Sequence, residues 1–235
     1  MNLIKRLEGI FFAPKQTFTA LAERPVWVDA LVIILVVLVA YSVVVTPYAK
    51  QEQAQMFRDS VKLRERMGEE GFKRYIEGLD KPATTWQTVQ MVGGAPLLFV
   101  VAMLLQSLFF MLLGRFVSTQ GTFKQVFAAL IHANLINGAL GNAVRLLLTL
   151  TKKSAMQVST GLALAFPKME VTSKAYIVLS QVDFFQIWMF GVLAFGLAAV
   201  FKISVRKALF LSYAIWFLKA LFNIAITIFG LSFVQ

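Results

Sequence analysis

The order of apolar and polar residues along the chain predicts five membrane-spanning helices. Each of five apolar segments has about 20 or more residues, the length that a helix needs to cross the hydrocarbon core of a bilayer. No segment alternates over about ten residues, as the strands of a membrane barrel would. We therefore expect an all-α, polytopic integral membrane protein with five transmembrane helices at Ala30–Ala49, within Pro82–Gly114, and near Val126–Leu150, Ala175–Phe201 and Ala208–Phe233.

The segment before the first span has a different pattern. Apolar residues recur at helical spacing up to Pro14, with charged residues between them, which is typical of an amphipathic helix lying in the membrane interface. A second short helix is expected at Lys15–Arg24. Residues 1–25 are thus predicted to form cytoplasmic-side amphipathic helices, and residues 26–235 the membrane domain. The apolar positions are Leu3, Ile4, Leu7, Ile10 and Phe11, and the charged ones Lys5, Arg6 and Glu8.

Two segments between the spans are expected to carry structure of their own. Residues 50–81 mix apolar residues closely with charges and contain Gly68 and Gly71 near the middle, which predicts an external loop of two helices. Gly161–Phe166 is an apolar hexapeptide that is too short to span, so we expect it to dip into the interface.

Composition supports a membrane location. Hydrophobic residues make up 58% of the chain and charged residues only 15%, too few to cover the surface of a soluble protein of 235 residues. The net charge of +11 fits membrane topology and anionic lipid at the cytoplasmic face better than nucleic acid, for which no partner role is expected.

Basic residues indicate which side each loop faces. Residues 1–25 and the loops after the second and fourth predicted spans carry nine basic and two acidic residues. Residues 50–81 carry eight basic and seven acidic residues, and Thr151–Lys174 carries four basic and one acidic. Short loops with uncompensated basic charge tend to stay in the cytoplasm. We therefore expect a cytoplasmic N-terminus and an external C-terminus.

Catalytic and cofactor motifs are not found in the sequence. There is no phosphate-binding glycine loop, no dinucleotide fingerprint and no serine nucleophile elbow. The chain has no cysteine and a single histidine, His132, which excludes cysteine sites and multi-histidine metal sites. Asn137 stands where membrane acyltransferases would need an aspartate after that histidine. We expect a protein that is not an enzyme and that binds no cofactor or metal.

Polar residues inside the predicted spans are the candidate functional residues, because such groups are costly in lipid. Small residues and asparagines on one face of the third span indicate close helix packing and hydrogen bonds between helices. The candidate intramembrane polar cluster comprises His132, Asn134, Asn137, Asn142, Arg145, Asp183, Gln186, Lys219 and Asn223.

Asp183 is the central member of this set. On a continuous helix from Ala175 it would lie about 12 Å in from the outer end, at a level where it could pair with Lys219 or with Arg145. Two interpretations follow. The cluster is either a structural ion pair and asparagine clamp joining the last three helices, or a polar pathway for an ion or a lipid head group.

Two segments carry a resemblance to a known family. One is FFAPKQTFTALAERP before the first span, and the other is VLSQVDFFQIWMFGVLAFGLA, which contains Leu179, Asp183, Phe185 and Trp188 at the spacing Leu-x-x-x-Asp-hydrophobic-Phe-x-x-Trp. The chain resembles the Yip-domain family (Ypt/Rab-interacting protein type), in its bacterial branch, over most of Pro14–Gly230. The loop at residues 50–81 is longer than the family pattern. The resemblance implies a five-span α-helical membrane protein without known catalysis.

The functional expectation combines these observations. We expect a multi-pass protein of the cell inner membrane that acts as a non-enzymatic scaffold or membrane-organising factor. Its partners would be the lipid bilayer, anionic lipids at the cytoplasmic face, and a second copy of the chain or another membrane protein. The alternative is a small ion or lipid transporter or channel with a polar path near Asn134, Asp183 and Lys219.

The expected topology can be tested with reporters. An alkaline phosphatase fused after Gln235 should be active, because five spans and a cytoplasmic N-terminus place this end outside. A fluorescent protein that matures only in the cytoplasm is the matched control and should stay dark at the same position. Cytoplasmic reporter activity after Gln235 would contradict the five-span topology.

Overall fold

The computed structural model describes residues 1–79 and 84–233, and its long elements are all helical. A π-helical segment, Leu135–Gly141, joins two of the helices without a break, and a short 3₁₀ turn, Leu162–Ala165, lies in the loop that follows. The α-helices of the described residues are α1 Leu3–Phe12, α2 Pro14–Glu23, α3 Val28–Arg58, α4 Val61–Leu79, α5 Thr85–Gly114, α6 Phe123–Asn134, α7 Asn142–Lys152, α8 Lys174–Gln181, α9 Phe184–Phe201 and α10 Val205–Leu231.

Five helical segments are long and apolar enough to cross a membrane: Val28–Arg58, Thr88–Gly114, Phe123–Lys152, Phe184–Phe201 and Val205–Leu231. This confirms the predicted all-α class with five transmembrane helices. The expected start of the second span at Pro82, the end of the predicted loop at Asp80 and Lys81, and residues 234–235 lie outside the described residues.

One helix boundary before the second span differs from that predicted. The helix of the first span does not end at Ala49 but continues to Arg58, because Gln51–Gln55 are helix formers or tolerated in a helix. Glu52 on this extension accepts hydrogen bonds from the backbone N–H groups of Ala155 and Met156, both at 2.9 Å, and so ties the extension to the loop after α7. α4 then bends at Gly68, whose φ of 69° favours glycine.

The centre of the fold is built from α6 and α9. Residues of α6 from Val126 to Asn134 are all buried, and α9 packs against α2, α6 and α10. Most of the exposed large apolar side chains of the outer helices α3, α5 and α10, such as Val36, Leu98 and Phe210, point away from this core. Lipid would cover these exposed apolar side chains.

The two N-terminal helices pack on the core rather than standing apart from it. Ile10 of α1 and Phe18 of α2 are almost completely buried. Arg6, expected among the outward charged residues, is instead 7% exposed and forms an ion pair with Asp29 at the start of α3. The reason is that a buried guanidinium needs a counter-ion, and Asp29 supplies it. The interfacial position of α1 stays a prediction.

Glycines allow the loop between α5 and α6 to close against α9. The ring of Phe201, fully buried at the end of α9, lies against Gly114 and Gly121. A Cβ built on Gly114 would stand 2.2 Å from this ring, and Gly121 has a φ of 91°. The hydroxyl of Ser118 in the same loop donates to the Phe201 carbonyl at 2.5 Å, which fixes the end of α9.

The close contact between Gly114 and the Phe201 ring predicts that a methyl group at position 114 lowers the stability of the protein. Gly114→Ala should destabilise the protein by about 1–3 kcal/mol, because a Cβ cannot enter the space of a buried ring without displacing it. Gly94→Ala in the same helix is the control, since nothing lies within 4 Å of its Cβ position. The check is the unfolding midpoint in detergent, and equal midpoints for the two variants would contradict the packing described.

Candidate functional site

The predicted continuous fourth span is wrong at its start, because the helix breaks at Val182 and Asp183. α8 ends at Gln181, and Asp183 takes extended backbone angles (φ −90°, ψ 131°) as the N-cap of α9. Its Oδ1 accepts a hydrogen bond from the backbone N–H of Gln186 at 3.0 Å. Asp183 was expected to lie within a continuous helix, but it lies at the break before α9. The break follows from local chemistry, since aspartate is among the preferred N-cap residues.

Arg145 of α7 reaches the carboxylate from the neighbouring helix. Its Nη2 lies 3.0 Å from both Oδ1 and Oδ2 of Asp183. The Arg145 side chain is 15% exposed and that of Asp183 is 7% exposed. Of the two partners predicted for Asp183, the structure thus places Arg145, and not Lys219, at the carboxylate. We call Arg145, Asp183, Asn137, Asn142 and Thr160 the Arg145 clamp.

The remaining N–H groups of Arg145 are taken up by the other members of this clamp. Nη2 donates to Asn137 Oδ1 at 2.9 Å, and Nη1 donates to Asn142 Oδ1 at 3.0 Å and, more weakly, to the Asn137 carbonyl at 3.5 Å. Nε donates to Thr160 Oγ1 at 3.1 Å. Since guanidinium has five N–H donors, the hydrogen-bonding capacity of Arg145 is filled within the protein.

The π-helical segment explains why Asn137 belongs to the clamp. Ideal α-helical spacing places Asn134, and not Asn137, on the face of Arg145. The wider turns of Leu135–Gly141 rotate the following residues relative to the preceding ones, which brings Asn137 and Arg145 to the same side. Asn134 instead donates to Met103 Sδ at 3.2 Å, toward α5. π-helical turns often occur at functional sites.

Thr160 is the clamp residue that sequence reasoning missed. Its hydroxyl donates to Asp183 Oδ2 while it accepts from Arg145 Nε, so one side chain closes a ring between the two charges. The backbone adds a short bridge: Phe184 N–H donates to the Thr160 carbonyl, and Leu162 N–H to the Val182 carbonyl, both at 3.1 Å. No local signal marks Thr160, because it lies in a loop far from Asp183 in sequence.

Gly161 permits this approach of loop and helix break. A Cβ at this position would lie 2.8 Å from the Ser180 carbonyl oxygen and 3.1 Å from that of Val182. Both are backbone atoms that cannot rotate away. The hexapeptide Gly161–Phe166 therefore lies directly against the α8–α9 junction at its first residue, while Leu162 and Phe166 are exposed.

The other predicted residues form separate contacts. Lys219 Nζ donates to Gln186 Oε1 at 2.9 Å, and Asn223 Nδ2 donates to Gln181 Oε1 at 3.3 Å, so α10 is joined to α9 and α8 through side chains outside the clamp. His132 is fully buried, with Nδ1 2.9 Å from the Ala128 carbonyl of its own helix. The nine predicted residues are thus not one cluster but several.

Chemically, the clamp is a satisfied structural network. Both oxygens of Asp183 accept hydrogen bonds from more than one donor, and the Phe185 ring lies 5.7 Å from the Arg145 guanidinium carbon. Within residues 1–79 and 84–233, no three His, Asp or Glu side chains lie close enough together to hold a metal ion.

Comparison with known proteins decides the family. The Yip1 domain family model matches residues 9–227, nearly the whole chain. The chain belongs to the Yip1 domain family. Neither a curated protein nor a solved structure matches it. Yip1 proteins are not known as an enzyme family.

The Yip1 resemblance seen in the sequence now has a structural location. The run containing Leu179, Asp183, Phe185 and Trp188 covers the end of α8, the break and the first turn of α9. Asp183 caps the helix and binds Arg145, while Trp188 packs edge-on against Phe11 of α1, with ring centroids 5.6 Å apart. In this Yip1 protein the motif therefore joins the broken span to the third span and to the N-terminal helix.

The ion pair gives a quantitative prediction. Asp183→Asn keeps an oxygen that can cap α9 but leaves the Arg145 guanidinium without a counter-ion, so we expect a loss of about 3–5 kcal/mol in unfolding free energy. Adding Arg145→Met should recover much of this loss, because the double change removes the unpaired charge. Unfolding in detergent measures both effects.

Lys219→Met is the matched control for that rescue. It removes a neighbouring cation that donates to Gln186 and not to Asp183. If Lys219→Met rescued Asp183→Asn as well as Arg145→Met does, the pairing described would be contradicted.

Proposed function

We propose that this Yip1 domain protein is a non-enzymatic scaffold or membrane-organising factor of the cell inner membrane. It would cross the bilayer several times, with a cytoplasmic N-terminus and an external C-terminus. The observation that supports this function best is the Arg145 clamp, in which the guanidinium and the carboxylate fill their hydrogen-bonding capacity with each other and with Thr160, Asn137 and Asn142.

A filled network suits a rigid structural role. A group that carries an ion or a proton along a path must exchange partners during each passage, whereas buried polar networks with every member satisfied rigidify a fold. The clamp connects α7, the loop after it and the α8–α9 junction. We infer that it holds the outer surfaces of the protein in a fixed arrangement that partners can bind.

The transport alternative has less support. Asn134, Asp183 and Lys219, which were expected to border a common path, make their contacts with three different partners: Met103, Arg145 and Gln186. One cavity borders α2 and another borders the α7–α8 loop, and these three residues line neither of them.

The proposed partners follow from charge and exposure. The basic side chains in the N-terminal segment 1–25 and in the loops after α5 and α9 would contact anionic lipid at the cytoplasmic face. Exposed apolar side chains of α3, α5 and α10 would meet the bilayer, a second copy of the chain or another membrane protein. No nucleic-acid contact is proposed.

A flux measurement combined with cross-linking tests this function. Proteoliposomes with the purified protein should be no more permeable to protons, potassium or chloride than protein-free vesicles. Cross-linking in native membranes should yield a discrete product with a second copy or another membrane protein. Flux above the protein-free background that disappears in a folded Lys219→Met variant would contradict the scaffold and favour transport.

A further inference from the structure

A cavity of about 600 Å³ lies at the end of the third span, outside the Arg145 clamp. It is lined by the last residue of α7, the loop that follows and the first turn of α8. Because Lys152 ends the helical segment Phe123–Lys152, the cavity lies where a span of this length leaves the hydrocarbon core and meets lipid head groups. Its polar lining residues are Lys152, Gln157, Ser159, Lys168, Glu170 and Tyr176.

The lining favours an anion. Lys152 and Lys168 outnumber the single carboxylate, Glu170, and the surrounding segment Thr151–Lys174 carries four lysines against that one glutamate. Lys152 Nζ donates to the Gln157 carbonyl at 3.0 Å, which positions the ammonium and leaves N–H groups for a ligand.

The rest of the cavity wall is fixed by the fold. Ser159, 8% exposed, accepts a hydrogen bond from the Gly161 N–H at 3.1 Å, directly beside the backbone bridge to α9. The Tyr176 hydroxyl donates to the Met156 carbonyl at 3.3 Å, and burial raises the pKa of this phenol. These contacts fix the part of the cavity wall that Ser159 and Tyr176 form.

An apolar edge adjoins the charged part. Leu164 and Phe166 line the cavity and are 54% and 50% exposed, and Leu162 beside them is 52% exposed. Cationic side chains next to exposed apolar ones are the combination that binds anionic lipid at a membrane surface. A free phosphate ion would use the lysines but would leave this apolar edge uncovered.

We propose that this cavity binds the phosphate head group of an anionic phospholipid, with Lys152 and Lys168 contacting the phosphate and the acyl chains lying along Leu162, Leu164 and Phe166. The lipid would connect the loop after α7 to the surrounding bilayer. This site is independent of the proposed scaffold function, because it uses no residue of the Arg145 clamp.

The test is a lipid titration of the full-length protein in neutral detergent, read as the rise in the unfolding midpoint, since a ligand of the folded state stabilises it. Phosphatidylglycerol should raise the midpoint, and phosphatidylcholine or inorganic phosphate at the same concentration should not. In Lys152→Gln/Lys168→Gln the apparent affinity for phosphatidylglycerol should fall about 20- to 30-fold, because each lysine contributes about a five-fold factor at an anionic surface.

Two further variants make the result decisive. Lys50→Gln/Lys153→Gln removes the same charge from exposed positions that do not line the cavity, and should bind like the parent protein. Glu170→Gln removes the opposing carboxylate and should tighten binding, which keeps the proposal testable if the cavity double variant does not fold. Equal stabilisation by phosphatidylcholine, full stabilisation by inorganic phosphate alone, or equal losses in both lysine pairs would each overturn the proposal, as would unchanged or weaker binding by Glu170→Gln.

Discussion

Arg145 and Asp183 are opposite charges buried between helices of a membrane protein, where removing one partner leaves the other charge uncompensated at a large free-energy cost. Their contact, with the carboxylate 3.0 Å from Nη2, depends on several separate parts of the chain. The π-helical segment brings Asn137 to the guanidinium, the loop after α7 brings Thr160 to both charges, and the break before α9 places the carboxylate beside Arg145. Because each part supplies a hydrogen bond that the ion pair needs, loss of one part leaves a buried charge incompletely satisfied.

The helix break imposes a second constraint, on the backbone. Inside a bilayer, non-helical backbone is tolerated only where protein or enclosed water satisfies its N–H and C=O groups. At the break the loop satisfies the Val182 carbonyl and the Phe184 N–H, through hydrogen bonds with Leu162 and Thr160, and Gly161 lets the two backbones approach closely enough. The loop after α7 is thus hydrogen-bonded to the start of the fourth span. This explains how the Yip1 domain of this chain can carry a charged residue at a helix break.

Much of the fold, and less of the site, could be predicted from the sequence. Five apolar segments were sufficient to predict the all-α class and its five spans, because span length is set by the bilayer. The break at Asp183 has a local signal within the apolar segment that predicts the fourth span. Aspartate followed three residues later by Gln186 before an apolar run is a helix-start signature. No such signal marks Thr160, because its role depends on a long-range contact. The helix face on which Asn137 lies could not be predicted either, because it depends on a π-helical turn. Arg6 was misplaced for a similar reason, because its counter-ion Asp29 lies on another helix.

The central claim is that the loop after α7 and the α8–α9 junction form one fixed unit held by the Arg145 clamp. Hydrogen–deuterium exchange of the native protein in lipid nanodiscs measures this most directly, at the backbone N–H groups of Leu162 and Phe184. Leu162 lies in the 3₁₀ turn and Phe184 is the first residue of α9, where a backbone N–H has no partner within the helix. Both N–H groups donate across the bridge instead. The account predicts that they exchange as slowly as amides in the interior of α9 and far more slowly than exposed amides of the same loop, such as that of Lys168. Exchange of Leu162 and Phe184 at the rate of Lys168 would contradict it.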